Sequence, residues 1–371
     1  MKTRLRIGFE AKRAFTNTTG LGNYARFVIA NFAANYPNHH LYLFTPRVDV
    51  AFANQLQHFS NCTIVTPDSF ISQKAPSYWR SFLLPALASD LQLDVLHGLS
   101  NELPFTISQF GGKKIVTIHD LIFLRYPAYY NFIDRKIYSL KFKQACQKAD
   151  VIIATSMQTK IDIQTYLGIH PDKIKVVYQN CAEQFAVKIT EQEKKLIREK
   201  YNLPEKYIVC VGTIEQRKNQ LQVLQAYIQA KPSDDLVFVG RQTAYANELH
   251  QLLSKHNLQK RVHFISNAAF AHFPAFYQMA SKAVYASSFE GFGIPVLESL
   301  RSGVATIVAY NSSLLEVGGD VVHYFDASNI EQLAELLKQP LPNFAPEKIN
   351  LHLEQFSTPH LMNQLLEIYK G

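Results

Sequence analysis

In the segment SSFEGFGIPVLESLRSGV, Ser287–Val304, two glutamates, Glu290 and Glu298, flank a Gly-Phe-Gly turn. Carboxylates accept hydrogen bonds from hydroxyl groups, and one carboxylate can take two vicinal hydroxyls at once. Ala283–Ser287 reads as the end of a short buried strand, Gly291 and Gly293 allow tight or positive-φ backbone, and Pro295 suits the first turn of a helix. A helix is therefore expected from about Ile294 to Ser302. Its first-turn N–H groups, from Phe292 through Gly293 and Ile294 to Val296, can donate to phosphate or sugar oxygens with help from the helix dipole. Glu298, one turn in, then suits a ribose diol, and Glu290, at the strand end, suits the hydroxyls of a sugar. The turn reads as a place to hold a sugar joined to a nucleotide. A single first-turn glutamate would only complement the dipole; Gly-x-Gly, Pro and two spaced glutamates together outweigh that reading.

Four further stretches end strands in the same way. In TNTTGLGNYARF, Gly20 and Gly22 lie on a loop before a helix, where backbone N–H groups can approach a pyrophosphate or donor sugar. Ala25 stands where a dinucleotide fingerprint would carry its third glycine, which counts against a dehydrogenase. In VGTIEQRKN, Arg217 and Lys218 follow a buried strand and can neutralise a departing pyrophosphate without a metal. In VTIHDLIF, His119 can bond a sugar hydroxyl and steady charge at an anomeric carbon, while Asp120 either approaches an acceptor or caps the next turn. His97, in LDVLHG, is either a packed core residue or part of an acceptor site, and Asn101 and Glu102 share that ambiguity. Ser266 and Asn267, after RVHFIS, can read a base edge, though loop polarity explains them equally. Glu316, in EVGGD, fits a helix start as well as a ligand contact. The stretch YWRSFLLPALASDL, with Trp79 and Arg80, is either a buried amphipathic helix or a face for a membrane or lipid-linked group.

These side chains need strands to carry them. The chain has 371 residues, 47% hydrophobic and 18% charged, enough for two cores. Strand-like runs alternate with amphipathic helical ones: LRIGFEA, HLYLFTP, CTIVTP, DVLHG, KIVTIHD, DVIIATS and KIKVVYQNC, then, after a polar segment from Ala182 to Leu203, YIVCVGT, DLVFVG, RVHFIS, AVYASS and TIVAYN. This is the rhythm of parallel sheets covered on both faces. A domain boundary is expected near Ala182, giving an N-terminal domain of residues 1–181 and a C-terminal domain of 182–354. Four scattered cysteines suggest neither a zinc site nor a disulfide framework, so buried free thiols are expected. The segment MKTRLRIGFEAKR has no leader pattern, and no run of eighteen apolar residues occurs, so cytoplasmic residence is expected. The net charge of +8 is uneven: residues 1–180 hold 20 Lys+Arg against 11 Asp+Glu (+9), and residues 181–371 hold 18 against 19 (−1). A basic half attracts anionic lipid or a phosphorylated acceptor. With no Arg-rich helix, zinc finger or RNP-type motif, nucleic acid is not expected as a partner.

The ordered blocks TTGLGNYARF, LDVLHG, VTIHDLIF, VGTIEQRKN, SSFEGFGIPVLES and SSLLEVGGD resemble the retaining glycosyltransferases of family four. The glutamate, seven residues, glutamate spacing of EGFGIPVLE is similar to that family's signature. The resemblance implies the GT-B fold: α/β, two Rossmann-like domains facing each other across a cleft, with the last helix, about 355–371, crossing back to the N-terminal, acceptor-side domain. The C-terminal domain would bind the nucleotide sugar. It also implies His119 and Glu290 as catalytic-site residues and donor binding through Arg217, Lys218 and Glu298, to which the residue readings above add Gly20, Gly22, Ser266, Asn267, Phe292, Gly293 and Ile294. On the residue readings above, acceptor contacts would fall to His97, Asn101, Glu102 and Asp120. One common form of the family pattern has Arg after the loop glycine; here Thr213 follows Gly212, so the phosphate role rests on Arg217 and Lys218. The implied activity is transfer of a hexose, of mannose or glucose type, from a nucleotide diphosphate sugar to a glycan or lipid-linked acceptor in cell-surface polysaccharide or glycoconjugate synthesis. The anomeric configuration would be retained and neither metal nor cofactor needed. Peripheral contact with the inner face of the membrane would fit such an acceptor. Two rivals share the cleft: a sugar-nucleotide epimerase, and a non-catalytic partner of another transferase.

Overall fold

The computed structural model describes residues 3–69 and 73–371, so the first two residues of the segment read for a leader lie outside the described residues. Thirteen strands are found among them: β1 Arg6–Glu10, β2 His40–Phe44, β3 Cys62–Val65, β4 Val95–Gly98, β5 Lys113–Ile118, β6 Val151–Ala154, β7 Ile174–Val176, β8 Tyr207–Val211, β9 Asp235–Val239, β10 Val262–Ile265, β11 Lys282–Tyr285, β12 Thr306–Ala309 and β13 His323–Phe325. They form two sheets, β3-β2-β1-β4-β5-β6-β7 and β10-β9-β8-β11-β12-β13, in which every registered pair is parallel. All five residues of β8 are buried, as a parallel strand covered on both faces requires. The α/β reading therefore holds. The three-residue β13 was not anticipated, because His-Tyr-Phe shows no strand period.

The chain forms two compact units, one running to Gln179 and including Gln355–Gly371, the other Asn180–Glu354. In each sheet the chain builds outward from its first strand in one direction and then resumes on that strand's other side. That reversal falls between β1 and β4 in the first unit and between β8 and β11 in the second. Ligands of open parallel sheets bind beyond the carboxyl ends of the strands at such a reversal.

In the first unit alternate residues of β5 feed two apolar clusters: Ile115 joins Phe9, Phe32 and Leu365, whereas Val116 and Ile118 join Phe44, Trp79 and Phe123. The helix Thr358–Lys370 belongs to the first cluster through Leu361, Met362, Leu365 and Tyr369, an apolar stripe at helical spacing. The Tyr369 hydroxyl lies 2.8 Å from His97 Nδ1, and His97 Nε2 lies 2.8 Å from Thr117 Oγ1. His97 is wholly buried, and burial, with His119 nearby, pushes its pKa down to about 3. The acceptor reading of His97 is thus corrected: both ring nitrogens are spent inside the core. Trp79 is likewise buried against Phe44, so it is no membrane anchor. Cys146, Cys181 and Cys210 are buried and Cys62 half-buried, all as free thiols. Among the described residues no helix is long and apolar enough to cross a membrane.

Tyr369→Phe deletes one hydroxyl and leaves the buried His97 Nδ1 without its partner. Denaturant titration should show a loss of about 1–3 kcal/mol. Tyr36→Phe, which removes the exposed 2.6 Å bond to Asn363 on the same helix, should stay within about 0.5 kcal/mol of the parent.

Candidate functional site

The loops after β8 and β11, on either side of the second sheet's reversal, bring together Arg217, Lys218 and Glu290, three of the residues singled out above. After β8 a short turn, Gln216–Lys218, ends at Asn219, whose φ of 55° admits the left-handed backbone that turns the chain into the helix Gln220–Ala230. This projects Arg217 and Lys218 towards the β11 loop, where Glu290 receives both. Arg217 Nη1 donates to Glu290 Oε2 at 2.8 Å, and Lys218 Nζ donates to Oε1. Ser287 Oγ adds a third bond to Oε1 at 2.7 Å, and Glu215 holds the other arm of Arg217 at 2.6 Å. The Glu290 side chain is 11% exposed. Burial opposes its charge, but Lys218 and Arg217 outweigh burial and hold its pKa at about 2.

Gly293, at φ 113°, caps the helix Ile294–Arg301, and a Cβ there would lie 3.0 Å from the Leu314 side chain. Pro295 has no N–H and that of Val296 is spent on Gly293 O. Ile294 alone of these three offers the first turn an N–H with no acceptor among the described residues. The buried Phe292 packs beneath the turn, and its carbonyl is held by Ser313 Oγ at 2.8 Å, as is that of Glu290. One turn into the helix, Glu298 accepts from the buried Tyr277 hydroxyl at 3.1 Å, and Tyr277 accepts in turn from Tyr285 at 2.8 Å. Burial raises the pKa of Glu298 to about 7, although the Tyr277 bond and Lys218 pull the other way. Its Oε1 has no partner among the described residues. A carboxylate so placed can take hydroxyl donors, which would stabilise its charged form.

Ser266 and Asn267 are exposed and follow β10, two strands from β8 at the sheet edge. Ser266 accepts from Gln242 at 3.1 Å. Glu316 sits in the first turn of the helix Leu314–Gly318, the dipole position expected of it.

In the first unit, His119 ends β5 and is 7% exposed. Its Nε2 donates to Leu99 O at 2.9 Å, and the Tyr24 ring stands edge-on at 4.7 Å. Burial lowers its pKa to about 4 despite the Leu99 carbonyl. The imidazole is therefore neutral, with Nδ1 as a lone-pair acceptor: suited to receiving a hydroxyl, and not repelling positive charge that grows nearby. Asn101, at φ 66°, accepts the His119 N–H at 2.8 Å, and Asp120 accepts from Ile122 N at 3.1 Å. The first is thus a support of the histidine loop, and the second caps the next turn. Glu102 lies 3.3 Å from Lys141 and 3.7 Å from Arg80. At Gly22 a Cβ would fall 1.8 Å from Asn17 O, and its N–H goes to Asn17 Oδ1, so close packing of loop on helix by itself requires a glycine here. Gly20 is exposed with open space around it.

Sequence reasoning missed Ser287, Glu215, Ser313 and Tyr277. Ser287 stands three residues before Glu290 in the same turn, a signal available in principle; Tyr277 comes from a distant helix and left none.

The chain matches the family model for glycosyl transferases group 1 over residues 191–346 and that for Glycosyltransferase Family 4 over residues 18–179. It is similar to the O-antigen chain mannosyltransferase B of Escherichia coli, 25% identical over 287 residues, 74% of each chain. It also resembles the serotype-specific mannosyltransferase WbdA of Escherichia coli, 28% identical over 244 residues; that match takes in 63% of this chain but 30% of the larger relative. Among solved structures, that of Anabaena Alr3699/HepE in complex with UDP and glucose superposes with a TM-score of 0.74 at 17% identity, covering 99% of both chains, which shows a shared GT-B-like fold.

The two glutamates should answer pH in opposite directions. Glu298 keeps its proton in the fold to about pH 7, whereas an unfolded glutamate loses it near 4.5. Stability is then greatest below that value and falls as pH rises through 7. Glu298→Gln, with no proton to lose, should gain on the parent by about 3 kcal/mol between pH 5 and 8. Glu290 stabilises above pH 4.5 and loses that contribution only as pH falls towards 2. Denaturant titrations of parent and Glu298→Gln at several pH values test this; parallel curves would refute it.

Proposed function

Since the chain belongs to the family-4, group-1 glycosyltransferases, we propose that it transfers a hexose from a nucleotide diphosphate sugar to an acceptor hydroxyl with retention at the anomeric carbon. The observation that carries this reading is the cluster at the second sheet's reversal, where Arg217 and Lys218 stand against Glu290 with Glu298 one turn beyond. The nucleoside diphosphate would lie against the second unit, its ribose hydroxyls on Glu298 Oε1, its diphosphate facing Arg217, Lys218 and the Ile294 N–H, and its sugar hydroxyls on Glu290. As the bond from the anomeric carbon to the phosphate oxygen breaks, negative charge grows on the diphosphate, where preorganised cations act most strongly. The acceptor oxygen bonds to the same face of the carbon, and its proton passes to the leaving phosphate oxygen. Glu290 holds both cations in place beforehand, so the charge needs little rearrangement when it is used.

Mannose is the favoured hexose, because the relatives over most or much of this chain are named mannosyltransferases. A glycan or lipid-linked acceptor in cell-surface polysaccharide synthesis fits the same names, and residence at the inner face of the membrane follows from that acceptor. The decisive experiment incubates the purified chain with nucleoside diphosphate mannose or glucose and polyprenyl-linked glycans, then identifies the product anomer by NMR. Free epimerised nucleotide sugar, or donor bound and never turned over, would refute it.

Excess chelator should leave transfer intact, since the two cations take the place of a metal at the diphosphate; activity lost to chelator and restored by Mg²⁺ or Mn²⁺ would contradict this. Lys218→Ala removes one such donor and should slow turnover by about 2.7–4 kcal/mol, on the order of 10²–10³-fold. Steady-state kinetics on the folded variant decide it, with a parental rate reducing Lys218 to a surface charge.

A further inference from the structure

A second gathering of positive charge lies in the first unit, beyond the carboxyl ends of β1 and β2, and the donor site does not use it. A cavity of about 260 Å³ opens there between the helix Lys12–Thr16, the Pro46–Arg47 loop and the turn at Pro76–Arg80. Three cations line it, Lys12, Arg47 and Arg80, with the hydroxyl-bearing Thr16 and Ser77, and no carboxylate does. Arg80 is fixed: its Nε donates to the buried Glu10 at 2.7 Å, and Glu10 Oε1 also accepts the Lys12 backbone N–H at 3.3 Å. Glu102, 3.7 Å from Arg80, is shared with Lys141. The Lys12 ammonium and the Arg47 guanidinium, by contrast, have no acidic partner within ion-pair distance among the described residues. Burial, and then Arg80 and Arg13, lower the Lys12 pKa, while Glu10 and Glu102 offset part of that from beyond ion-pair distance.

Two cations left without a carboxylate around a concave space, with a third locked in orientation, describe a receptor for an anion. The arginines supply planar forks that fit phosphate oxygens, and lysine supplies a point charge. The volume falls just below the ~300–1,000 Å³ of clefts that enclose drug-sized ligands, so a headgroup fits better than an extended glycan. The +9 balance of residues 1–180 draws such a ligand in over longer range. We propose that this cavity is a phosphate-binding site, taking the phosphate or diphosphate group of a ligand through Lys12, Arg47 and Arg80. That this ligand is the sugar acceptor rests on the transferase reading above; that the cavity binds phosphate does not.

Calorimetric titration of the full chain with inorganic pyrophosphate tests it, with Lys12→Ala, Arg47→Ala and Lys218→Ala alongside. Arg47 is exposed, so its truncation leaves the fold intact. Two classes of site are expected in the parent. Lys12→Ala and Arg47→Ala should each weaken one class roughly tenfold and spare the other, as loss of a charge-assisted bond implies, and Lys218→Ala should do the reverse. If both cavity variants reproduce the parental isotherm, the proposal falls. The source of the phosphate is read from two further probes. Displacement of pyrophosphate from the cavity class by a hexose 1-phosphate assigns the site to a soluble sugar phosphate. Retention on phosphatidylcholine vesicles only when they contain phosphatidic acid, and its loss in Arg47→Ala, assigns it to a lipid headgroup. A parent that binds pyrophosphate in the cavity but transfers no sugar refutes the transferase reading and leaves this site standing.

Discussion

The candidate donor site depends on one carboxylate between two cations. Glu290 is almost closed off from solvent, where an isolated charge would be neutralised, and it stays ionised because Lys218, Arg217 and Ser287 all donate to it. The dependence is mutual, since Glu290 is the one carboxylate that both cations share, although Glu215 also holds Arg217. The fold makes the meeting possible by placing β8 beside β11, so that residues 72 and 73 positions apart in sequence open on the same edge. The left-handed residues Asn219 and Gly293 then aim each loop at the other.

Glu290 and Glu298 show how little residue type determines charge. They lie eight positions apart and are both buried, yet one is held as an anion far below the usual carboxylate range and the other binds its proton close to neutrality. The difference is the neighbour: two direct cation contacts for the first, a tyrosine hydroxyl for the second. A ligand that brings hydroxyl donors to Glu298 and negative charge to the cations meets a surface complementary at both ends.

Much of this was legible in the sequence because local rules bore on it. Strand periodicity found twelve of the thirteen strands, and the Gly-Phe-Gly-Ile-Pro run located the helix start to the residue. The partners across the sheet were not legible. Nothing in EGFGIPVLE announces that Glu290 would be claimed by Arg217 and Lys218, since such pairing depends on sheet order rather than spacing. His97 stayed ambiguous for a related reason: its strand-end position fits a ligand site as well as the core, and only the return of Tyr369 from the far end of the chain makes it a core residue. The packing demand on Gly22 was equally hidden, because a glycine required by a close backbone approach and one required by a ligand look the same in sequence.

The helix Thr358–Lys370 packs into the first unit although the whole of Asn180–Glu354 precedes it in the chain. During synthesis, therefore, the second unit is complete and able to fold while the first still lacks Leu361, Met362, Leu365 and Tyr369, leaving an apolar groove and the His97 Nδ1 uncovered. Domains made in one continuous run tend to fold in order of emergence from the ribosome. Here that order is inverted: the unit begun first is the last to be finished, and its groove is open to chaperones or to aggregation for as long as the intervening residues take to translate.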